Sequence, residues 1–327
     1  MTRLAIWNAD SLLGREIKDA LAGRRDLWTD LRLLSEASEG ALVTDIGGEA
    51  ALIQPAKPEN LKDLDLLFYC AEPNRDGEIP EVVPRELPTV LVASEPRSFS
   101  APPIVAGVNS HPKAIQEAGG VVASAHPAIV GLAHLLHPLL GLGLEACTAT
   151  VVLPSSSRGQ EGIDALLDQT RSILAFQPQE ENEIFHFQLA FNLVPDALAG
   201  DLLARQLGEV LEADLELAVQ SSLGGIFHGV TLSAHVRLGE GTTASTLQSV
   251  LEATPLLEPA TRPESLGPIS AAGSSSIRLA PVAVSTAADS FWLRAVMDNL
   301  TVGGALNAIG VAEAVLAATS DDGGYTM

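Results

Sequence analysis

The chain has 327 residues, 46% of them hydrophobic, so it can bury a large core and has the length of one large or two ordinary domains. With 19 basic and 41 acidic residues its formal net charge is −22, which predicts repulsion from nucleic acid phosphates and anionic membranes. Two cysteines, Cys70 and Cys147, are too few for a disulfide framework or a Cys-rich metal site. The N-terminus has no secretory pattern, and we expect a cytoplasmic protein without a membrane span.

The first part of the chain alternates short apolar runs with loops and helix-like segments. The runs have strand length and are RLAIW, LRLLS, LDLLFYC, TVLVAS and GGVVAS. Strands separated by helical segments form parallel sheets, because each crossover needs about a dozen residues or more. This part therefore predicts a mostly parallel sheet of the nucleotide-binding type.

From Glu145 onward the apolar runs are longer and alternate with polar residues, as in EACTATVVLPSSS, DLELAVQSSL, HGVTLSAHVRL and SSIRLAPVAVS. Such alternation, together with the helical segment GQEGIDALLDQTRSILA, predicts an antiparallel sheet covered on one face by helices. The Pro-, Gly- and Ser-rich stretch 255–276 predicts a long surface loop. Near the C-terminus, GGALNAIGVAEAVLAAT predicts a helix because its apolar residues recur at helical spacing.

A buried strand runs directly into a helix in GGVVASAHPAIVGLAHLLHPL, residues 119–139. Enzymes of the α/β class often carry a reactive side chain at such a junction, which here offers Ser124, His126 and Pro127. Ser124 and His126 suggest a hydrolytic pair, but no orienting carboxylate is evident. Pro127 occupies the first helical position, where its fixed φ is favourable.

The turn after the first strand, WNADSLLGRE, is where a dinucleotide-binding motif would lie. Such a turn needs glycines so that backbone N–H groups approach the pyrophosphate at a helix N-terminus. Only Gly14 is present, with Asn8 and Ser11 at the other glycine positions, and Asp10 would place a carboxylate beside the phosphates. The sequence instead predicts a strand-to-helix turn in which Asp10 or Ser11 caps the helix.

Five stretches carry a wider similarity: LRLLSEASEG, VNSHPKAI, GQEGIDALLDQTRSIL, QLAFNLVP and, above all, VMDNLTVGGALNAIGVAE. Through them the chain resembles the aspartate-β-semialdehyde dehydrogenase family nearly end to end, and more closely its Usg-type homologues. The resemblance implies an α/β fold with a Rossmann-like NAD(P)-binding domain over residues 1–127. It also implies a central α+β domain for catalysis and dimerisation over 128–302, and a C-terminal helix, 303–327, that packs on the first domain.

In the active family a cysteine at a helix N-terminus attacks the aldehyde, a histidine acts as acid and base, an arginine and a glutamate hold the substrate, and NADP accepts the hydride. The resemblance puts Pro127 at the cysteine position, and proline cannot form a thioester. His228 matches the acid/base histidine, whereas Ser221 stands at the position of the substrate arginine. Leu153 and Gln206 fall where a positioning glutamine and the substrate glutamate are expected. We therefore expect a family member that lacks this dehydrogenase activity.

The NADP contacts implied by the resemblance are also altered. Ala37 stands for the arginine that would hold the 2′-phosphate, Glu39 is close by, and the pair Glu72-Pro73 replaces a Gly-Gly pair. The remaining candidate cofactor contacts are Gly14, Ser35 and Asn299. We expect NADP to bind weakly or not at all, with no other cofactor and no metal.

Several candidate residues also have structural explanations. His228 is expected to be a hydrogen-bonded structural residue, and the pair Asp298-Asn299 can cap the turn before the last helix. His134 and His137 lie three residues apart on one helix and are expected to be partly buried, since a metal would need further ligands. Altered chemistry, or binding of a small ligand by the old cleft with His126 and His228, stays open as the alternative function.

Because nucleophile, substrate clamp and phosphate loop all differ at once, we expect a structural or interaction protein. The resemblance implies a homodimer formed through the central domain. The strands TATVVLPSSS, LELAVQSS and IRLAPVAV predict a sheet with apolar residues on more than one face, and Val219, on a central strand, is expected in that interface. An unidentified protein partner stays open, whereas nucleic acid and membrane are not expected partners.

Overall fold

The computed structural model describes residues 2–36, 40–71, 79–178 and 183–321. They form two compact units, the first drawn from Met1–Ala93, Arg97–His126 and Gly304–Met327, and the second from Ser94–Pro96 and Pro127–Gly303. The α-helices, in chain order, are α1 (Leu12–Ala22), α2 (Pro112–Glu117), α3 (Pro127–Leu136), α4 (Gly159–Leu174), α5 (Ala197–Leu211), α6 (Ala244–Glu252), α7 (Pro268–Ala271) and α8 (Asn307–Asp321).

The first unit is built on one sheet. Its strands are β1 (Arg3–Trp7), β2 (Asp30–Ser35), β3 (Leu42–Ile46), β4 (Glu49–Pro55), β5 (Leu66–Cys70), β6 (Thr89–Val92), β7 (Pro103–Ile104) and β8 (Val121–Ser124). They lie in the order β3-β4-β2-β1-β5-β6-β8-β7, and all neighbours are parallel except β3 and β4. The mostly parallel sheet predicted from the sequence is confirmed.

The central strands of this sheet are buried on both faces, which explains their continuous apolar sequences. Trp7 and Tyr69, at neighbouring strand ends, lie with ring centroids 6.0 Å apart inside the core. The apolar residues of α1 at helical spacing, among them Leu13, Ile17 and Leu21, are buried. This packing fixes the carboxyl ends of β1, β2 and β5 next to one another.

Helix α8 is part of the first unit and packs against α2 and β6. It is preceded by a π-helical turn over Thr301–Leu306. The combined stretch Thr301–Thr319 is long and apolar enough to cross a membrane, judged by length and composition alone. However, 61% of its most apolar window is buried inside the protein, which is typical of a core helix.

The second unit contains the other sheet. Its strands are β9 (Ala146–Leu153), β10 (Leu193–Pro195), β11 (Glu216–Gly224), β12 (Val230–Arg237), β13 (Leu257–Pro259), β14 (Ile277–Leu279), β15 (Ala283–Val284) and β16 (Ser290–Met297). Their order is β10-β11-β9-β12-β16-β14-β13, with β15 also paired to β16. The expected antiparallel sheet is wrong in part, because β9 pairs parallel with β11 and β13 pairs parallel with β14. The crossover through α4 and α5 is long enough to return the chain in the same direction. The expected surface loop 255–276 is also corrected, since it contains β13 and α7.

One face of the second sheet is covered by α3 and α5, and the other is exposed. A Cβ atom added to Gly131 of α3 would lie 2.5 Å from Leu232 Cδ1, which shows how closely this helix approaches the sheet. Alternate residues on the opposite face are exposed, and most are polar or small: Thr148, Thr150, Ala218, Gln220, Trp292 and Arg294. The expectation of apolar residues on more than one face therefore holds only in part, since Trp292 and Ala218 lie there among polar residues.

Candidate functional site

Pro127 begins α3, so the predicted strand-to-helix junction is present. Its side chain is buried. A Cβ atom added to Gly303 would lie 2.5 Å from Pro127 Cβ and 2.7 Å from Met297 Cε. The proline ring therefore packs directly on the Gly303 backbone, and the position is filled by close packing.

Ser124 and His126 belong to the first unit, and both are buried. The Ser124 hydroxyl accepts a hydrogen bond from Asn307 Nδ2 at 2.8 Å. The same amide accepts from the Ala106 N–H at 2.9 Å and donates to the Ile104 carbonyl at 3.2 Å. The hydrogen bond described for Ser124 thus ties β8 to α8, which is a structural arrangement that sequence reasoning missed.

Asn299 is a buried bridge in the second unit. Its Oδ1 accepts from the Gly229 N–H at 2.8 Å, and its Nδ2 donates to Ser156 Oγ at 3.1 Å. Only 2% of the residue is exposed. Both ends of the amide are therefore used to hold the loops after β9 and β11.

Asp298 is the cap that the sequence favours. Its Oδ1 accepts from the N–H groups of Leu300 and Thr301 at 2.9 and 3.0 Å, and its Oδ2 accepts from the Gly273 N–H at 2.8 Å. A carboxylate at a helix start satisfies amides that lack intrahelical partners. Asp298 therefore fixes both the π-helical turn and the loop that contains Gly273.

His228 lies half-buried in the loop 225–229 between β11 and β12. The next residue, Gly229, has φ of 90° and packs against Pro268, whose Cβ would lie 3.0 Å from a Cβ added to Gly229. The described contacts include no hydrogen bond to the His228 ring, so the structural hydrogen bond expected from the sequence is not found. Within the described ranges, no three His, Cys, Asp or Glu side chains come together where they could hold a metal ion.

Ser221 lies on β11 with only 1% of the residue exposed. Its Oγ is buried and makes no hydrogen bond to any described residue, and the same holds for Ser155 Oγ. Helix α5 packs on this strand, since a Cβ added to Gly200 would lie 2.6 Å from the Val219 carbonyl oxygen. Val219 therefore shares the covered face with Leu217, on the second strand from the sheet edge, and its place in an interface stays a prediction.

The other positions at which the resemblance implies substrate contacts are also placed by the structure. Leu153 ends β9 and is buried. Gln206 lies half-buried on α5. The apolar side chain of Leu153 offers no hydrogen bond, and the neutral amide of Gln206 carries no charge.

Sequence reasoning also missed an ion pair in the second unit. Arg158, just before α4, places one guanidinium nitrogen 2.8 Å from Glu95 Oε2 and the other 3.7 Å from Asp196 Oδ2. Glu95 is buried, and Asp196 also caps α5 by accepting from the Ala199 N–H. These residues are far apart in the sequence, so no local pattern indicates the pair.

The candidate cofactor positions Gly14 and Ser35 lie in the first unit and are buried. Gly14 is the third residue of α1, and its N–H donates to Ser11 Oγ at 3.0 Å. Ser11 is therefore the predicted helix cap. The Ser35 hydroxyl donates to Asp10 Oδ2 at 2.8 Å. The other proposed cofactor positions, Ala37, Glu39, Glu72 and Pro73, lie outside the described residues.

No cysteine replaces the thiol that the resemblance implies at position 127. Burial raises the pKa of both the Cys70 and Cys147 thiols to about 12. A thiol is nucleophilic only as the thiolate, so both cysteines are inert near neutral pH. Burial, and the nearby His137, lower the pKa of His134 to about 4, so this histidine is neutral within α3.

Taken as a whole, the fold defines an α/β protein that combines a Rossmann-like sheet with a mixed α+β sheet in one chain. No protein-family model matches the chain. It is 31% identical over 236 residues to a USG-1 protein homolog of Azotobacter vinelandii, an alignment that covers 66% of this chain and 68% of the relative. It is 22% identical to an aspartate-semialdehyde dehydrogenase of Rickettsia bellii, over 96% of this chain and 97% of that protein.

The solved structure of aspartate semialdehyde dehydrogenase II from Vibrio cholerae has the same fold, with a TM-score of 0.85 and 20% identity. The match covers 96% of this chain and 98% of that one. The chain belongs to the aspartate-semialdehyde dehydrogenase family, and its relatives there include the USG-1 proteins. The family resemblance and the fold class predicted from the sequence are thereby confirmed.

Proposed function

We propose that this chain is a catalytically silent member of the family, without aspartate-semialdehyde dehydrogenase activity. The proposal is supported by Pro127, the residue at which the resemblance implies the family nucleophile. A proline side chain has no group that attacks an aldehyde. The ring is also buried and packs closely against Gly303.

Ser221 supports the same proposal from a second position. The resemblance implies an arginine there, and arginine binds a carboxylate with two parallel hydrogen bonds. The Ser221 hydroxyl offers one hydrogen bond, no charge and almost no exposed surface. A substrate carboxylate would therefore lack its bidentate partner even if a nucleophile were restored.

The test is an assay of the purified chain with aspartate semialdehyde, phosphate and NADP, with the formation of NADPH followed by absorbance. We expect no rate above the blank without enzyme. An active relative assayed in parallel shows that the substrates are competent. Phosphate-dependent formation of NADPH by this chain would contradict the proposal.

The role we propose instead is that of a cytoplasmic homodimer that acts as a structural or interaction protein. The second copy would meet the exposed face of the second sheet. That face presents Trp292, 40% exposed, beside His235, with ring centroids 4.7 Å apart, and Arg294 on the same strand. Tryptophan and arginine are enriched in protein interfaces, and small residues such as Thr148 and Thr150 allow a close approach.

A further inference from the structure

The carboxyl ends of β1, β2 and β5 form a crevice in the first unit. Trp7, at the end of β1, pairs with Leu34 of β2 on one side and with Tyr69 of β5 on the other. The chain adds strands first on one side of β1 and then on the other, so the crevice lies at a topological switch point. In open α/β sheets, dinucleotides bind at this place. NADP is the cofactor that the family resemblance implies, and this crevice is the place where it would bind.

Asn8 fills the first position of the loop between β1 and α1. Its φ is 57°, a conformation that asparagine tolerates better than most residues. Its Nδ2 donates to the Cys70 carbonyl at 3.0 Å, and its Oδ1 lies 3.5 Å from the Glu36 N–H. The asparagine side chain thus bridges the ends of β1 and β5, where a glycine would leave room for pyrophosphate.

The N-terminus of α1 is also occupied. Ser11 Oγ accepts from the Gly14 N–H, which is one of the amides that an anion at this helix start would need. Gly14 itself has a packing reason, because an added Cβ would clash with the Asn8 carbonyl oxygen. The one glycine left from the motif is therefore explained without a phosphate.

Asp10 brings a carboxylate to the same loop. The hydroxyl of Ser35, a residue 1% exposed at the end of β2, holds Asp10 Oδ2 at 2.8 Å. A pyrophosphate wrapped by this loop would meet a fixed negative charge. Two unit charges about 4 Å apart at a surface-like dielectric lower affinity by about a thousandfold.

A second carboxylate follows β2. Glu36 Oε1 accepts from Trp7 Nε1 at 2.6 Å, which holds the acid at the end of the strand. In dinucleotide-binding sheets, an acidic residue at this place accepts from a ribose 2′-hydroxyl and disfavours a 2′-phosphate. The described part of the crevice therefore does not fit NADP at either phosphate group.

We propose that this crevice is closed to NADP and NADPH, and that Asp10, positioned by Ser35, is the residue that excludes their phosphates. The loop after β1 is held by contacts within the protein instead of contacts with a cofactor. These contacts involve Asn8, Asp10, Ser11 and Ser35. The proposal does not rest on Pro127, because a chain without the nucleophile can still bind a dinucleotide. Its failure and the failure of the proposed inactivity are thus separate results.

The experiment is calorimetric titration of the full chain with NADPH and, separately, with adenosine, which has no phosphate. The variant Asp10→Ser removes the charge and leaves a neutral hydroxyl in the loop. Asp19→Asn, on the exposed side of α1, changes the net charge equally and is the matched control. Melting temperatures check that all three proteins are folded.

We expect no saturable binding of NADPH by the wild type up to about 1 mM. Asp10→Ser is expected to tighten NADPH by about tenfold or more, a gain that shrinks as salt screens the charge. Adenosine should bind the three proteins equally. A micromolar dissociation constant for the wild type would overturn the exclusion. A folded Asp10→Ser protein with unchanged NADPH binding, or an equal gain in Asp19→Asn, would overturn the assignment to Asp10.

Discussion

Gly303 and Pro127 are in direct backbone-to-ring contact in the second unit. An atom placed at the Cβ position of Gly303 would lie 2.5 Å from Pro127 Cβ and 2.7 Å from Pro127 Cα. Real side chains never approach so closely, so residue 303 must be glycine while Pro127 keeps its place. Pro127, the residue at which the resemblance implies the nucleophile, is therefore part of the packing that holds the start of α3.

Gly303→Ala is expected to destabilise the protein by about 1–3 kcal/mol, because the added methyl group overpacks a filled site. The measurement is urea unfolding followed by circular dichroism. Gly141→Ala is the matched control, since a Cβ added to Gly141 would meet nothing within 4 Å. Equal stability of the two variants would show that the Pro127 contact is loose.

Pro127→Cys alone is expected to give no dehydrogenase turnover. The new thiol would be buried beside Gly303, where burial disfavours the thiolate, and Ser221 would still lack the charge to hold a substrate carboxylate. The activity assay is paired with titration by a thiol reagent. Wild-type Cys70 and Cys147 should give no fast reaction, so any fast signal comes from residue 127. Measurable turnover by this variant would show that the substrate is held from elsewhere.

Asn299→Ala should cost about 1–3 kcal/mol, because it leaves the buried Gly229 N–H and Ser156 Oγ without their partner. Thermal and urea unfolding both report the loss. Gln160→Ala is a suitable comparison, since Gln160 bonds to Asp164 on the exposed face of α4. An equally small loss of unfolding free energy in the two variants would show that the Asn299 bridge contributes little to stability.

Stability should fall between about pH 6.5 and pH 4 because of His134. Burial lowers its folded pKa from 6.5 to about 4, so in this range the unfolded chain binds the proton and the folded chain does not. The contribution of His134 to the unfolding free energy is fully present above the unfolded pKa of 6.5 and is lost as pH falls towards 4. The loss from this group is about 3 kcal/mol on reaching pH 4.

The variant His134→Leu has no imidazole to bind this proton in either state. As pH falls to 4, the unfolding free energy of the wild type should therefore decrease by about 3 kcal/mol more than that of the variant. His186→Gln, at an exposed position of the same unit, is the control and should follow the wild type. Parallel pH curves for wild type and His134→Leu would rule out His134 as the source.

The proposed homodimer predicts light scattering at twice the chain mass of 34.1 kDa at low micromolar concentration. Thr150→Arg puts a long charged side chain in the middle of the exposed sheet face and should give a monomer. Because that face is mostly polar, the monomer should keep most of its thermal stability. Ser245→Arg, exposed on α6, should stay dimeric. A monomeric wild type would end the proposal.

The sequence predicted the strands of the first sheet well because they are buried on both faces and therefore continuous in apolar character. It missed the hairpin of β3 and β4 at the edge of the sheet, where Leu42, Val43 and Leu52 are exposed. The parallel pairing of β9 with β11 was also missed. Strand direction follows from the path of the chain through α4 and α5, which no local pattern encodes.

Pro127, His228 and Ser221 were assigned to the candidate site by matching family positions, and their roles there stay predictions. The contacts that define it join residues far apart in the chain, such as Asn299 with Ser156 and Asn307 with Ser124. The sequence around an asparagine does not indicate which distant loop its side chain will bind. Burial and partners of such groups emerge only from the folded chain.

The π-helical turn Thr301–Leu306 holds one residue more than an α-helical turn. Because the wider turn takes up that residue locally, deleting one residue within it would make the helix regular and leave Asn307 in phase. Its hydrogen bonds to the Ser124 hydroxyl and from the Ala106 N–H would then be kept. A residue deleted from the regular helix of α8 would instead turn every residue after it by about 100° around the axis. The chain is therefore more tolerant of a change in length in this turn than in the helix that follows.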